Sequence, residues 1–454
     1  MALNGRRSLT LTEWQSLPLV AEWQALTLFC RSFLRFAIKQ SIDCAAIKGE
    51  ARLPFYAIFV APLQPSESPP TKNLSTFNSK KFSVFRFSYY LCSVMFRLMR
   101  ILSALVGAES AHRVAVFLLR MVDKIPAAKW LLRKIYAVED PRLEREVFGL
   151  RFRNPIGLAA GFDRNGDIFR PLDALGFGFI EIGTVTPRAQ QGNPKPRIFN
   201  IPKERAVLNR IGLANNGLEA AIANLRNGHE GIIIGCNIGK NTVTPNEEAP
   251  ADYLRVFRNL YQYVDYFAVN VSYNTTHKQY IPRTRESVME ILTPLFEFRR
   301  GQNQYRPILL KISPDLTNEE VDLMADIMVD TPLDGIVATN ATTQPKFANT
   351  TEEELRSIGF GSTSGAPLTE RAIEVVHRVH ERCNGTYPII GVGGIMSGED
   401  AKRMLEAGAT LVQLYTGLIY NGASLVGDIC TSLLEAEEPQ PTEEQPQSEN
   451  NSIQ

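Results

Sequence analysis

Eight short runs of β-branched and apolar residues constrain the fold of this chain more than any other feature. Longer stretches of helical character separate them. The predicted strands are Ile156–Phe162, Phe179–Val185, Gly231–Ile238, Tyr266–Val271, Pro307–Ser313, Gly335–Asn340, Pro388–Gly394 and Leu411–Gly417. Continuous apolar runs bounded by Gly, Pro and Asn are typical of strands buried on both faces. Eight strand–helix repeats predict a (β/α)₈ TIM barrel, and an open doubly wound sheet is the alternative.

The composition limits the class of protein. The 454 residues are 44% hydrophobic and 21% charged, with a formal net charge of +1. Such a chain can bury a large core, and its near-neutral charge argues against nucleic-acid binding. The six cysteines are scattered without a C-x-x-C pair, which predicts reduced thiols and no metal site. No apolar run is long enough to predict a membrane-spanning helix.

The sequence divides into four stretches. Residues 1–94 mix apolar, basic and Ser/Pro-rich pieces without a sustained period, which predicts a disordered extension; a targeting presequence is the alternative. Residues 95–140 have an amphipathic helical pattern, and residues 141–435 contain the predicted barrel. Residues 436–454 are acidic, rich in Pro and Gln and free of aromatic residues, so a disordered tail is expected.

Basic residues lie among the apolar positions of residues 95–140. Leu98, Ile101 and Leu105 follow helical spacing, with Arg97 and Arg100 between them. Short basic amphipathic helices bind in the interface of a membrane, with their cations toward the headgroups. This pattern predicts peripheral membrane association; helices that only cap one end of the barrel are the alternative.

Small, amide, hydroxyl or cationic residues end almost every predicted strand. The strand ends are Ala160–Arg164, Thr184, Asn237, Asn270, Lys311, Thr339–Asn340, Gly393–Gly394 and Tyr415–Thr416. Because these ends converge on the catalytic face of a barrel, they predict a planar, hydrogen-bonding ligand. The glycine-rich loops after the last two strands favour a phosphate group, since glycine lets backbone N–H groups approach an anion closely. Tight packing turns are the alternative interpretation.

Lys311 ends an otherwise apolar strand. An uncompensated buried cation is costly, so we expect it to face an anion or an electron-rich ligand. Beside a flavin it would stabilise the negative charge that develops on reduction. The alternative is an internal ion pair with an aspartate at a strand end.

Several motifs resemble those of dihydroorotate dehydrogenases. They are Asn154–Asp163, Glu181–Pro187, Gly192–Arg197, Asn209–Gly212, Asn237–Asn241, Lys311–Leu316, Ala338–Asn340 and Ile390–Ile395. The helical segment around Ala111–Arg113 is similar to the quinone-channel helices of the membrane-associated class. The absence of a cluster-binding cysteine pattern also fits this quinone-dependent class.

The resemblance implies oxidation of dihydroorotate to orotate in pyrimidine biosynthesis, with FMN as hydride acceptor and a membrane quinone as final acceptor. It implies a place on the cytoplasmic side of a cell inner membrane, or alternatively the mitochondrial inner membrane. The implied FMN-binding residues are Ala160, Gly161, Phe162, Asp163, Arg164, Thr184, Asn237, Asn270, Lys311, Thr339, Gly365, Gly394, Tyr415 and Thr416. The implied substrate-binding residues are Arg164, Asn209, Arg210, Ile211, Gly212, Leu213, Asn270, Asn274 and Asn340.

The loop after the fourth strand departs from the family pattern, in which the fourth residue of Asn-x-Ser-Ser-Pro-Asn or Asn-x-Ser-Cys-Pro-Asn is the catalytic base. Here Asn270 and Val271 are followed by Ser272, Tyr273 and Asn274. Ser272 or Tyr273 takes the base position, depending on where the alignment gap lies. Strand alternation would point Ser272 away from the site, whereas Tyr273 is a weak base at neutral pH.

Two hypotheses account for residues 273–284. One is a local compensated frameshift, and the other is a degenerate family member that binds flavin with little turnover.

Three rival functions also remain at this point. A tRNA-modifying flavoprotein needs a catalytic cysteine and a basic face, and a 2-hydroxy-acid oxidase needs a histidine base near the substrate. A flavin-binding protein without activity shares every feature except turnover.

Overall fold

The computed structural model describes residues 108–229, 231–274, 279–280 and 282–437. The chain forms two compact units, residues 1–115 and residues 116–454, and only Ala108–Ala115 of the first unit is described. The prediction for residues 1–94 therefore lies outside the described residues. So does the predicted disordered tail of residues 436–454, except for residues 436 and 437, which are helical.

Eight parallel strands form a closed barrel in chain order, so the predicted barrel is confirmed and the open sheet is excluded. The barrel strands are β1 (Ile156–Leu158), β2 (Phe179–Val185), β3 (Ile233–Ile238), β4 (Tyr266–Asn270), β5 (Ile308–Ile312), β6 (Gly335–Ala338), β7 (Ile389–Val392) and β8 (Leu411–Leu414). Several are shorter at their carboxyl ends than predicted, because the residues that follow leave the sheet and line a cavity.

Twelve α-helices occur in the described residues. They are α1 (Ala108–Asp123), α2 (Pro126–Tyr136), α3 (Phe169–Asp173), α4 (Gly217–Leu225), α5 (Ala249–Leu260), α6 (Arg285–Arg300), α7 (Asn318–Asp330), α8 (Glu352–Ile358), α9 (Thr369–Arg382), α10 (Gly398–Glu406), α11 (Thr416–Asn421) and α12 (Leu425–Glu437). α1 and α2 confirm the predicted helical pattern from residue 108 onward. The part of that prediction on residues 95–107, which includes Leu98, Ile101 and Leu105, lies outside the described residues. None of the helices described is long and apolar enough to cross a membrane.

A short hairpin packs against the amino-terminal end of the barrel. Its strands, Arg145–Val147 and Leu150–Phe152, are joined by Phe148 and Gly149, which both have positive φ angles. Positive φ at both central residues is the geometry that tight two-residue hairpins require. Phe152 is fully buried and contacts Phe179 of β2 edge to face, with ring centroids 5.2 Å apart. The hairpin therefore extends the barrel core.

A three-stranded antiparallel sheet lies outside the barrel; we call it the insert sheet. Its strands are Ile198–Ile201, Ala206–Asn209 and Ser362–Gly365, with Ala206–Asn209 in the centre. Ile201, Ala206 and Leu208 form its small core. The sequence analysis did not predict this sheet, although the sheet carries Asn209 and Gly365 to the cavity wall.

Candidate active site

A cavity open to solvent lies at the carboxyl end of the barrel strands. Most of the predicted site residues meet there: Ala160, Gly161, Arg164, Thr184, Asn209, Arg210, Ile211, Gly212, Leu213, Asn237, Asn270, Ser272, Lys311, Thr339, Asn340, Gly365, Gly394, Tyr415 and Thr416. Each of the eight barrel strands contributes to the wall, either directly or through the residues that immediately follow it, as expected for the catalytic face of this fold. Convergent amide and cationic groups in one large cleft are typical of a site for a polar ligand.

Phe162 and Asp163 are not part of the cavity wall. The Phe162 ring contacts Tyr415, with centroids 6.2 Å apart. The Asp163 carboxylate accepts hydrogen bonds from the backbone N–H groups of Asp167 and Ile168, at 3.0 and 3.1 Å. Burial, together with the charge of Asp167, raises the pKa of Asp163 to about 6. Asp163 therefore organises the loop after β1.

Glu181, in the middle of β2, is fully buried and binds four side chains. Lys311 Nζ and Asn237 Nδ2 lie 3.1 and 2.9 Å from its Oε1 atom. Gln413 Nε2 and the Tyr266 hydroxyl lie 2.7 and 3.3 Å from its Oε2 atom. Lys311 thus lines the cavity and also forms an internal ion pair. The predicted alternative, an ion pair with an aspartate at a strand end, had the wrong partner. Lys311 instead pairs across the barrel with Glu181, which lies inside β2.

Hydrogen bonds among three asparagine amides and the Thr184 hydroxyl connect the ends of four strands. Asn237 Oδ1 accepts from the Thr184 hydroxyl at 2.6 Å, and Thr184 Oγ1 lies 3.3 Å from Asn270 Nδ2. Asn340 Nδ2 lies 3.3 Å from Asn270 Oδ1 and 2.5 Å from the Ser272 carbonyl oxygen. These contacts fix the side chains at one side of the cavity before any ligand binds.

Ser272 lines the cavity, and the expectation that it points away from the site is wrong. Strand β4 ends at Asn270, so strand alternation no longer applies two residues later. The Ser272 hydroxyl lies 3.1 Å from Asn340 Nδ2 and 3.4 Å from the Lys311 carbonyl oxygen. Tyr273 and Asn274 form a two-residue strand paired with Gln279 and Tyr280. The side chains of Tyr273 and Asn274 lie outside the described part of the chain.

Three cations line the cavity, and they differ in their partners. Lys311 is paired with Glu181. The Arg210 guanidinium donates to the backbone carbonyls of Ile358 and Phe360, at 2.8 and 3.1 Å. Arg164 donates from Nε to the Gly161 carbonyl at 3.1 Å, and its terminal nitrogens make no hydrogen bond to any described residue. Arg164 is therefore the cation best placed to bind an anionic group of a ligand.

Glycines bring the backbone close together beside β7 and the insert sheet. Gly394 has a φ of +71°, and a Cβ atom there would lie 2.0 Å from Thr369 Oγ1. Gly365 has a φ of +106°, and a Cβ atom there would lie 2.4 Å from the Arg205 carbonyl. Only glycine fits such positions without strain. The hydroxyls of Ser364 and Thr416 meet at 2.7 Å in the same wall.

Gln413 is a cavity residue that the sequence analysis missed. Its Nε2 atom is bonded to Glu181, whereas its buried Oε1 atom has no partner among the described residues. A buried acceptor without a donor is costly, so this atom fits a ligand that carries an N–H group. A usable indication was present in the sequence, because Gln413 and Glu181 are polar residues inside strands that are otherwise apolar.

The sequence profile of a family described as "Dihydroorotate dehydrogenase" matches residues 142–436. A protein of Christiangramia forsetii described as "Dihydroorotate dehydrogenase (quinone)" is 45% identical over 330 residues, which cover 72% of this chain and 95% of the relative. A protein of Thermosynechococcus vestitus with the same description is 48% identical over 317 residues, which cover 67% of this chain and 84% of the relative. The crystal structure of DHODH from Eimeria tenella in complex with ferulenol matches with a TM-score of 0.62 and 32% identity, covering 68% of this chain and 89% of that one.

Proposed function

Because the chain belongs to the dihydroorotate dehydrogenase family, we propose that it oxidises dihydroorotate to orotate in pyrimidine biosynthesis, with FMN as hydride acceptor and a membrane quinone as final acceptor. The observation that carries this proposal is the cavity wall itself, where Lys311, Arg164 and three asparagine amides converge at the strand ends. The relatives described as quinone-dependent enzymes support the choice of acceptor.

The cavity fits FMN at two places. The unpartnered Oε1 atom of Gln413 suits an N–H donor such as that of a flavin ring. The backbone at Gly393 and Gly394, near the start of α11, suits a phosphate group. When bound, FMN supplies the two-electron acceptor that the oxidation needs.

Arg164 and the asparagine amides are proposed to hold dihydroorotate. The substrate carries a carboxylate and a ring with two carbonyls, and it needs a cation and paired amides. The two terminal nitrogens of Arg164 can bind a carboxylate in a bidentate manner, which a lysine cannot. Asn209, Asn270 and Asn340 lie around the same cavity and can bind the ring edges.

We propose Ser272 as the base that removes the proton next to the substrate carbonyl. Its hydroxyl is in the cavity wall, and Asn340 Nδ2 donates to the oxygen at 3.1 Å. This donor stabilises negative charge on the oxygen as the proton leaves. The resting hydroxyl can donate a hydrogen bond to the Lys311 carbonyl or to Asn270 Oδ1, each at 3.4 Å. As the Ser272 oxygen takes the substrate proton, the hydroxyl's own proton passes to water in the solvent-open cavity.

Anaerobic mixing of the purified protein with dihydroorotate, followed by flavin absorbance, tests the proposal. Rapid bleaching of the flavin is expected. Replacing Ser272 with Ala should slow this bleaching by at least ~100-fold, since a positioned base typically contributes that much. Comparable loss in Tyr273→Phe, with Ser272→Ala unaffected, would assign the base to Tyr273. A bound flavin that stays oxidised would instead indicate a family member that has lost turnover.

Helices α1 and α2 support peripheral membrane association as part of this proposal. Phe117 and Trp130 are 45% and 61% exposed, so both side chains are available to contact an apolar phase. Arg113 lies on α1, Lys134 lies on α2, and Lys124 lies in the turn between them. Such helices bind an interface with the apolar side chains inserted. We propose the cytoplasmic side of a cell inner membrane, with the mitochondrial inner membrane as the alternative.

A further inference from the structure

Glu181 differs from the other buried carboxylates of the described residues in what it binds. Asp163 and Glu204 accept mainly backbone N–H groups, and Asp173 binds Arg133 and Arg153 away from the cavity. Glu181 instead binds Lys311, Asn237 and Gln413, which all line the cavity. One carboxylate on β2 thus holds side chains from β5, β3 and β8.

We propose that Glu181 is a positioning residue for the flavin, which fixes the orientations of these three side chains and offsets the charge of Lys311. The inference rests on the proposed function, since it requires that FMN occupy the cavity. Glu181 itself does not line the cavity, so it acts through its partners.

The chemistry of a carboxylate explains the positioning. An ionised carboxylate only accepts hydrogen bonds, so each amide beside it must present its NH₂ group to it. For Asn237 this leaves Oδ1 to accept from Thr184, and for Gln413 it leaves Oε1 free of any described partner. Gln413 therefore keeps an acceptor available for an N–H group of the ligand. A carboxamide at position 181 could not hold both amides in this way.

The charges explain the electrostatic part of the proposal. Lys311 and Glu181 are both almost fully buried, and their charges sum to zero beside the cavity. Buried charges interact strongly because little water screens them. Glu181 therefore reduces the stabilisation that Lys311 gives to a negatively charged reduced flavin. Tyr266 adds no charge, because burial and then the neighbouring Glu181 raise the pKa of its hydroxyl well above its ordinary value.

Glu181→Gln in the full-length holoenzyme tests both the positioning role and the electrostatic role of Glu181. The flavin midpoint potential should shift to more positive values, since the charge that offsets Lys311 is gone. The dissociation constant of FMN, measured by fluorescence titration of the apoprotein, should rise at least ~10-fold as the amides lose their fixed orientations, a change worth about 1.4 kcal/mol. A Gln variant with the potential and FMN affinity of the unmodified protein would overturn the proposal.

Asp173→Asn is the matched control, because it also removes a buried carboxylate bonded to cations. It should lower the unfolding temperature while leaving the flavin potential and FMN affinity unchanged. If Glu181→Gln does not fold, Glu181→Asp keeps the charge but shortens the side chain by one methylene. The Asp variant should bind FMN more weakly at an unchanged potential, and unchanged FMN affinity there would contradict the positioning role.

The outcome is separable from that of the proposed function. An unmodified protein that binds no FMN, or that binds FMN and is not reduced by dihydroorotate, contradicts the proposed function. An unmodified protein that passes both tests, together with a Glu181→Gln variant that behaves identically, contradicts only the role of Glu181.

Discussion

Single residues show where sequence reasoning about this site succeeded and where it stopped. Lys311 was predicted to face a ligand or an internal anion because a lone cation ends an apolar strand, and the structure shows it at the cavity wall and in an ion pair. Its partner Glu181 was missed, since the pair joins residues 130 positions apart across the barrel. A glutamate inside a strand buried on both faces was nevertheless a usable signal, because such a charge needs a partner.

Asp163 carries a prediction about the pH dependence of stability. Its pKa is raised from 3.8 to about 6, first by burial and then by the charge of Asp167. Well below pH 3.8 the Asp163 carboxyl is protonated in both the folded and the unfolded state, so its titration does not oppose folding there. As pH rises toward 6 the unfolded state loses this proton first, so the stability that the raised pKa provides is lost through that window.

Asp163→Asn removes this titration. The free energy of unfolding of the unmodified protein, measured in urea at several pH values, should fall relative to the Asn variant by about 2 kcal/mol between pH 4 and pH 7. A difference between the two proteins that stays constant with pH would show that Asp163 does not titrate in this range.

At the scale of elements, the sequence analysis missed a strand of the insert sheet that forms only through long-range pairing. The strand Ser362–Gly365 has a sequence of small polar residues, which carries no strand signal by itself. It forms because it pairs with Ala206–Asn209, more than 150 residues earlier, and such pairing is invisible to local periodicity. The barrel strands were predictable since both of their faces are buried and their sequences are continuously apolar.

The loop after β6 carries a prediction at this scale, because Asp315 holds it in place. The Asp315 carboxylate accepts from the hydroxyl of Thr342 and from both the backbone N–H and the hydroxyl of Thr343, the latter two at 2.8 and 2.6 Å. These residues follow Asn340, whose amide reaches Ser272. Asp315→Ala should therefore raise the KM for dihydroorotate by ~10-fold, as expected from losing hydrogen bonds to a charged group, with FMN content unchanged.

Steady-state kinetics with flavin quantified by absorbance checks this prediction. Thr343→Val should reproduce part of the effect and Thr343→Ser should not, because serine keeps the hydroxyl. Asp326→Asn is a suitable control, since Asp326 pairs with Arg382 on the helical surface. An Asp315→Ala variant with normal KM and a lower unfolding temperature would limit Asp315 to a structural role.

At the scale of the whole molecule, the barrel strands differ from helices α1 and α2 in how much of their apolar side chains is exposed. The apolar residues of the barrel strands are buried, whereas Phe117 on α1 and Trp130 on α2 are 45% and 61% exposed. The same helices carry several arginine and lysine residues. An exposed aromatic residue among cations is favourable where both an apolar phase and anionic groups are available, as at a lipid surface.

The full-length protein should therefore sediment with vesicles that contain anionic phospholipid, and less so as the salt concentration rises. Phe117→Ser together with Trp130→Ser should reduce the bound fraction severalfold without changing dihydroorotate-dependent flavin reduction, because neither side chain lines the active-site cavity. Val329→Ser on α7 is the matched control, since Val329 is similarly exposed (44%) but lies outside the basic helices. Equal vesicle binding by the double variant and the control would show that α1 and α2 do not provide the membrane contact.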